Sequence, residues 1–234
     1  MRNTRKSGSA ASLRGLNYEA ELAYLLNNPN NWKSSIPLLD QILTAENIER
    51  FQIIKVSATT DITSLNTGGA SKTDLVLTLH LKNGRTRNIC FSCKRSTKKM
   101  VSFHEYPAEA FIAVLQVVDT AIQNLLKKHE TDGSARFFTP QEKQSLTKYF
   151  GLGSNRRVLT EWAILGRGHI GQVSQHQIAD YVICNDQLRT IDDYINKLNE
   201  KLKKRPDTGF GTGFSWTRQS RGTGKTIQLK GPVW

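Results

Sequence analysis

Apolar positions along the chain follow two periods. Between Leu13 and Leu26, the residues Leu16, Ala23 and Leu26 recur at helical spacing, which predicts a helix with those side chains inward. Glu19 falls on the same stripe. A carboxylate there is costly unless paired or metal-linked, so it is either an edge residue reaching water or part of a site. Arg50 to Val56 reads as a strand, and the polar, glycine-bearing stretch Ser57 to Ser71 as a loop. From Thr73 to Lys82 the period falls to two, with Leu75, Leu77, Leu79 and Leu81 alternating with Val76, Thr78 and His80. Asn83-Gly84 supplies a turn and Arg87 to Lys94 returns, so this segment predicts a β-hairpin.

Helical patterns follow at Ala108 to Val118, Thr120 to His129 and Val158 to Leu165. Another helix is predicted with Thr139 as N-cap, Pro140 at its first position and Glu142 closing a capping box. Ala179 to Cys184 reads as a strand. Ile191, Tyr194, Ile195, Leu198 and Leu202 stripe a helix opened by Thr190 and Asp193, and two short strands end the chain. In that last hairpin Phe214, Trp216, Ile227 and Leu229 share one face, and Ser215, Thr217, Thr226, Gln228 and Lys230 share the other. The first face is core; the second is either an ordinary exposed surface or a polar reading surface.

The 234 residues suffice for one α/β domain with a real core. Residues 1–14 are basic and rich in Ser and Ala, which suggests a flexible arm. No apolar run approaches the roughly 20 residues needed to cross a bilayer; Ala110 to Val118 stops at Asp119. With 33 Lys and Arg against 20 Asp and Glu, the net charge of +13 favours a polyanionic partner. Ribosomal, heparin-binding and membrane-surface proteins share that excess, so charge needs a site to give it meaning. Cys90, Cys93 and Cys184 make an odd count that argues against a disulfide framework and suits a reducing cytoplasm. No second pair completes Cys90-x-x-Cys93, so structural zinc is not expected.

The hairpin supplies that site. Asp74 begins one arm, and Ser92 and Lys94 share a face near the end of the other. A two-residue turn would pair Asp74 with Cys93, on the wrong face. One extra residue beside Asn83-Gly84 brings Asp74 opposite Ser92, so a bulge or strong twist is predicted. Phosphodiester hydrolysis needs a carboxylate that holds a metal against the phosphate and a cation that stabilises developing charge. Asp74 and Lys94 can supply them. Equally, Asp74 can simply end a loop and Lys94 begin a solvated basic run to Lys99.

Longer stretches carry a resemblance. The hairpin resembles the core of the PD-(D/E)XK nucleases, and Arg14-Gly15 with Glu19 resembles the Gly-x-x-x-Glu opening of the preceding helix. Gly68-Gly69-Ala70-Ser71-Lys72-Thr73-Asp74, Lys98-Lys99-Met100-Val101-Ser102 with Glu105-Tyr106, Gly209-Phe210-Gly211-Thr212-Gly213 with Trp216-Thr217, and Gln228-Leu229-Lys230-Gly231 are similar to segments of MspI-like type II restriction endonucleases, in matching order. Lys127 to Leu146 and the helix at Ile191 join them, while 150–185 matches poorly.

The resemblance implies an α/β fold with a mixed sheet flanked by helices and a C-terminal β-hairpin. It divides residues 15–234 into a core (15–130), a helical insertion (about 131–185) and a C-terminal helix with a reading hairpin (190–234). It further implies Mg²⁺-dependent cleavage of double-stranded DNA at CCGG by a cytoplasmic enzyme accompanied by a protective methyltransferase. Catalytic roles fall on Asp74, Ser92, Lys94 and Glu19, with metal on Asp74; base contacts fall on Ser102, Thr217, Gln228 and Lys230. Lys98, Lys99, Arg218, Arg221 and Lys225 are candidate phosphate contacts. Two departures stand out: Thr73 replaces the proline before the acid, and Ser92 replaces the second acid, where MspI-like enzymes carry asparagine. A DNA-repair nicking nuclease and a catalytically dead DNA-binding protein share the same core and remain open. His169 reads as a loop histidine, and Gly224-Lys225-Thr226 fails as a nucleotide loop because Gln219 stands at the first-glycine position.

Overall fold

A computed structural model describes residues 17–34, 36–67, 70–221 and 224–233, with side chains outside 218–224. The arm at 1–14, the helix start at Leu13 to Leu16, Gly15, and Gly68-Gly69 lie outside those residues. The first helix is described over 17–27 (α1) and is followed by α2 (Pro29–Lys33) and α3 (Pro37–Ala45). Strands β1 (Ile53–Thr59), β2 (Leu75–Leu81), β3 (Thr86–Lys94) and β4 (Met100–Tyr106) lead to helices α4 (Ala108–Val114), α5 (Thr120–Asp132), α6 (Pro140–Gly151) and α7 (Gly153–Leu165). Then come β5 (Tyr181–Cys184), β6 (Gln187–Arg189), α8 (Ile191–Lys204), β7 (Ser215–Arg221) and β8 (Gly224–Pro232). The chain forms two compact units, Met1–Thr97 with Gly171–Thr190, and Lys98–Ile170 with Ile191–Trp234. The segment about 131–185 contributes to both.

The first unit is built on a mixed five-stranded sheet in the order β1-β2-β3-β5-β6, with β3 and β5 parallel and the other pairs antiparallel. Leu75, Leu77, Leu79, Ile89 and Phe91 point to one side, where Leu39 and Ile42 of α3 cover them. The α1 stripe on this core is Tyr18, Leu22 and Leu26; Ala23 is only partly buried at its flank. The expected stripe is therefore rotated, because residues four apart stack on one helix face and Tyr18 starts that row. Arg50 to Gln52 forms a 3-10 turn, so β1 begins at Ile53 and runs into the expected loop.

The hairpin has its expected register by way of the turn. Gly84 N–H donates to the Leu81 carbonyl at 3.0 Å, and Leu81 N–H donates to the Arg85 carbonyl at 2.9 Å, leaving a three-residue loop that ends on Gly84 at φ +78°. That is a type I turn closed by a left-handed glycine, the extra residue that a two-residue turn lacks. Pairing runs from His80↔Thr86 to Leu75↔Phe91, so Asp74 arrives opposite Ser92.

The second unit carries an antiparallel sheet in the order β4-β8-β7. Phe214, Trp216, Ile227 and Leu229 are buried on its apolar face, and Phe111 and Phe150 meet the Trp216 ring at 5.6 and 5.4 Å. The capping box of α6 is as expected: Glu142 N–H donates to Thr139 Oγ1, and Thr139 N–H to Glu142 Oε2. Trp162 Nε1–H donates to His169 Nδ1 at 3.3 Å, and Tyr106 packs on that imidazole, so His169 is a structural loop residue. The described residues contain no helix long and apolar enough to cross a membrane.

His129 of α5 is fully buried among Phe138, Phe210 and Trp216, and neither ring nitrogen has a hydrogen-bond partner among the described residues. Burial pushes its pKa down to about 4, with Asp132 opposing weakly. The folded state thus prefers the neutral ring, and stability that is complete above the unfolded pKa of about 6.5 drains as pH falls toward 4, by about 3 kcal/mol in order of magnitude. His129→Leu should flatten the fall in denaturation midpoint between pH 6.5 and 4. Parallel wild-type and variant curves across that window would remove His129 as the cause.

Candidate active site and polar sheet face

Asp74 lies just before β2, its N–H bound to the Phe91 carbonyl at 2.8 Å, and its side chain reaches the end of β3. Asp74 Oδ2 accepts three hydrogen bonds there: from Cys93 N–H at 2.7 Å, Lys94 Nζ at 3.1 Å and Ser92 Oγ at 3.2 Å. All three fall on one oxygen. Among the described residues none bonds Oδ1, which keeps its lone pairs for a cation or a water. Ser92 is fully buried beneath the carboxylate, whereas Asp74 and Lys94 remain about a fifth exposed.

Two further groups surround this pair. Burial, then the Asp74 carboxylate, raises the Glu19 carboxyl to about 7, while Lys94 opposes. Burial and then Lys94 lower the Lys72 ammonium to about 7, while Asp74 opposes. For Lys94 itself, burial alone would lower the pKa, but the charge and hydrogen bond of Asp74 leave it raised, so the ammonium stays charged. The structure thus brings together Asp74, Ser92, Lys94 and Glu19 in one unit. Lys72 belongs to the segment that carries the family resemblance, and its two-residue spacing from Asp74 is the signal that could have found it. Cys90 and Cys93 are free, and all three cysteines are buried.

A divalent cation fits this donor set. Hard cations take few carboxylates plus waters and phosphate oxygens, and a carboxyl raised by burial and then by a neighbouring carboxylate is what a cation relieves. Among the described residues no cluster of three or more His, Cys, Asp or Glu is formed.

In the second unit, the polar residues of the last hairpin share a face with part of β4. Gln228 of β8 lies between Glu105 of β4 and Thr217 of β7, and Lys230 between Ser102 and Ser215. Ser102 and Glu105 are an odd number of residues apart and would face opposite ways on a regular strand. A bulge between Ser102 and His104 corrects the parity, with Phe103 and His104 both buried. Gln228 Nε2 donates to Glu105 Oε2 at 3.2 Å, Thr217 Oγ1 donates to Gln228 Oε1 at 3.2 Å, and Thr226 Oγ1 donates to Glu105 Oε1 at 3.4 Å. Sequence reasoning assigned Glu105 no role, because its place on this face depends on the bulge. Lys98, Lys99 and Lys225 are exposed. Arg218 and Arg221 lie in β7, with side chains outside the described set.

Comparison with known proteins bears on both sites. The family model for restriction endonuclease MspI matches residues 2–231. Type II restriction enzyme MspI of Moraxella sp is 30% identical over 213 residues, covering 87% of this chain and 80% of that enzyme. Type II restriction enzyme BsuFI of Bacillus subtilis is 27% identical over 249 residues, covering 96% of this chain and 60% of that enzyme. A crystal structure of restriction endonuclease MspI with its cognate DNA superimposes at a TM-score of 0.78 and 26% identity, over 99% of this chain and 94% of that chain. With likeness of sequence and of fold both running nearly end to end, the chain belongs to the MspI family of type II restriction endonucleases, site-specific enzymes that cut DNA.

Proposed function

We propose that the protein cleaves double-stranded DNA at CCGG with Mg²⁺ as its metal, Asp74 and Lys94 carrying the chemistry and the polar face of β4, β7 and β8 reading the bases. The observation that carries this is the triple clamp on Asp74 Oδ2, which fixes the carboxylate and leaves Oδ1 available. When bound, the cation supplies Lewis-acid charge to the phosphate and lowers the pKa of a water. Lys94, held charged at 3.1 Å from Asp74, stabilises charge developing on the scissile phosphate. Ser92, buried and donating to Asp74, orients the carboxylate rather than meeting substrate. Glu19, half-buried beside Asp74, is a second carboxyl for the cation.

Lys230 donates to guanine O6 and N7 in the major groove, with Ser102, Thr217 and Gln228 beside it. Lys98, Lys99, Arg218, Arg221 and Lys225 meet phosphates. Residues 1–14 act as a basic arm, and 15–234 work as one nuclease, divided as the family resemblance implies. A companion methyltransferase protects host sites. The free, buried Cys90 and Cys93 support residence in a reducing cytoplasm.

Digestion of a plasmid of known sequence in Mg²⁺, with end mapping, tests the target directly; ends at any motif other than CCGG would reject that site. Asp74→Ala and Lys94→Ala should each cut cleavage by roughly a thousandfold or more while leaving specific binding near wild type. A variant that cuts at near wild-type rate would displace that residue from the chemistry.

Ser92→Ala removes one of three bonds to Oδ2 and should slow cleavage roughly tenfold without ending it. Complete loss in a variant with normal thermal stability would make Ser92 indispensable.

Lys230→Ala should erode preference for the target over single-mismatch duplexes by about 1–3 kcal/mol. Lys225→Ala should weaken both alike and lower the salt slope by about one. Titrations at several salt concentrations separate the two, and an unchanged cognate-to-mismatch ratio in Lys230→Ala would make Lys230 a phosphate contact.

A further inference from the structure

The row Glu105–Gln228–Thr217 has a fixed polarity. A carboxylate only accepts, so the Gln228 amide must turn its nitrogen toward Glu105; its oxygen is then the partner of the Thr217 hydroxyl. Gln228 is only 6% exposed, whereas Glu105, which the β4 bulge turns onto the same face, is half-buried. Among the described residues each Glu105 oxygen accepts one bond, Oε1 from Thr226 and Oε2 from Gln228, and a carboxylate has about four lone-pair sites. The acceptor capacity that remains is displayed on the sheet one row from Lys230, about 7 Å along the strand.

On the reading of this sheet as the base-contacting surface, we infer that Glu105 is a specificity-determining residue whose carboxylate accepts a hydrogen bond from the N4 amino group of a cytosine in the major groove. Among bases, only cytosine and adenine present a donor there, and glutamate pairs with the cytosine amino group. The same carboxylate repels phosphates and guanine O6 and N7, so a wrong base facing it is penalised rather than merely unrewarded. Lys230 in the next row is a pure donor suited to guanine. One acceptor row beside one donor row is the pattern for adjacent C and G. It also assigns Gln228 a task that needs no adenine, since its amide aligns Glu105.

The test uses the full-length chain without divalent metal, binding its mapped target and duplexes in which each cytosine in turn becomes 2-pyrimidinone, the same ring without the N4 amino group. Wild type should lose roughly 10- to 100-fold in affinity at one position. Glu105→Met, which keeps length and removes both acceptors, should respond there by less than about threefold, and Gln228→Ala should keep most of the wild-type response. If Glu105→Met responds as wild type does, or if Gln228→Ala is the variant that becomes insensitive, Glu105 is not the contact. Lys230→Ala, measured alongside, separates this failure from that of the underlying reading. Should it erode mismatch discrimination while Glu105→Met does not, only the glutamate assignment falls; should neither do so, the sheet is not the reading surface.

Discussion

The active site depends on the register of one hairpin. Asp74 meets Ser92 and Lys94 only because the loop between β2 and β3 has three residues and ends on a glycine with positive φ. Removing one loop residue would set Asp74 against Cys93, whose side chain belongs to the apolar face with Phe91 and Ile89. Such a slip would turn one arm's side chains to the opposite face and separate the carboxylate–lysine pair. The chemistry is thus set about ten residues away, at Gly84, where nothing reactive stands.

The polar sheet of the second unit solves the same parity problem in the opposite manner. There the correction lies within a strand, at the β4 bulge, rather than in a turn. Phe103 and His104 both turn inward, and Ser102 and Glu105 consequently flank β8 on one face. In each unit one irregularity beside the site determines which polar groups meet, as expected where bulges re-aim functional side chains.

These two irregularities also mark what could be read from the sequence. The β2–β3 hairpin, the α6 capping box and the α8 stripe are local patterns, their determinants a few residues apart, and all three appear in the structure. The need for an extra turn residue followed from Asp74 and Ser92 themselves. By contrast, β4 has no clean alternation, since Phe103 and His104 are consecutive buried positions. Its form comes from pairing with β8, more than 120 residues later. Glu105 was invisible for that reason; Lys72 has a signal in its spacing from Asp74, but its altered environment comes from burial and then from Lys94 beside it. The α1 stripe was misplaced because Tyr18, an amphipathic residue, outranks Ala23 in buried area.

Charge and selectivity pull in different directions in such a chain. A net charge of +13 attracts every DNA sequence alike, through counterion release that no base can modulate. Additional lysines would deepen that attraction and leave the choice of site unchanged. Carboxylates act in reverse: each costs affinity in the field of the phosphates and recovers it only against a cation or a base-edge donor. Asp74 and Glu105 are both held by donors from a neighbouring strand, so neither depends on DNA for its orientation. In a basic protein the few fixed acids are therefore the groups able to make binding, and then cutting, conditional on what lies opposite them.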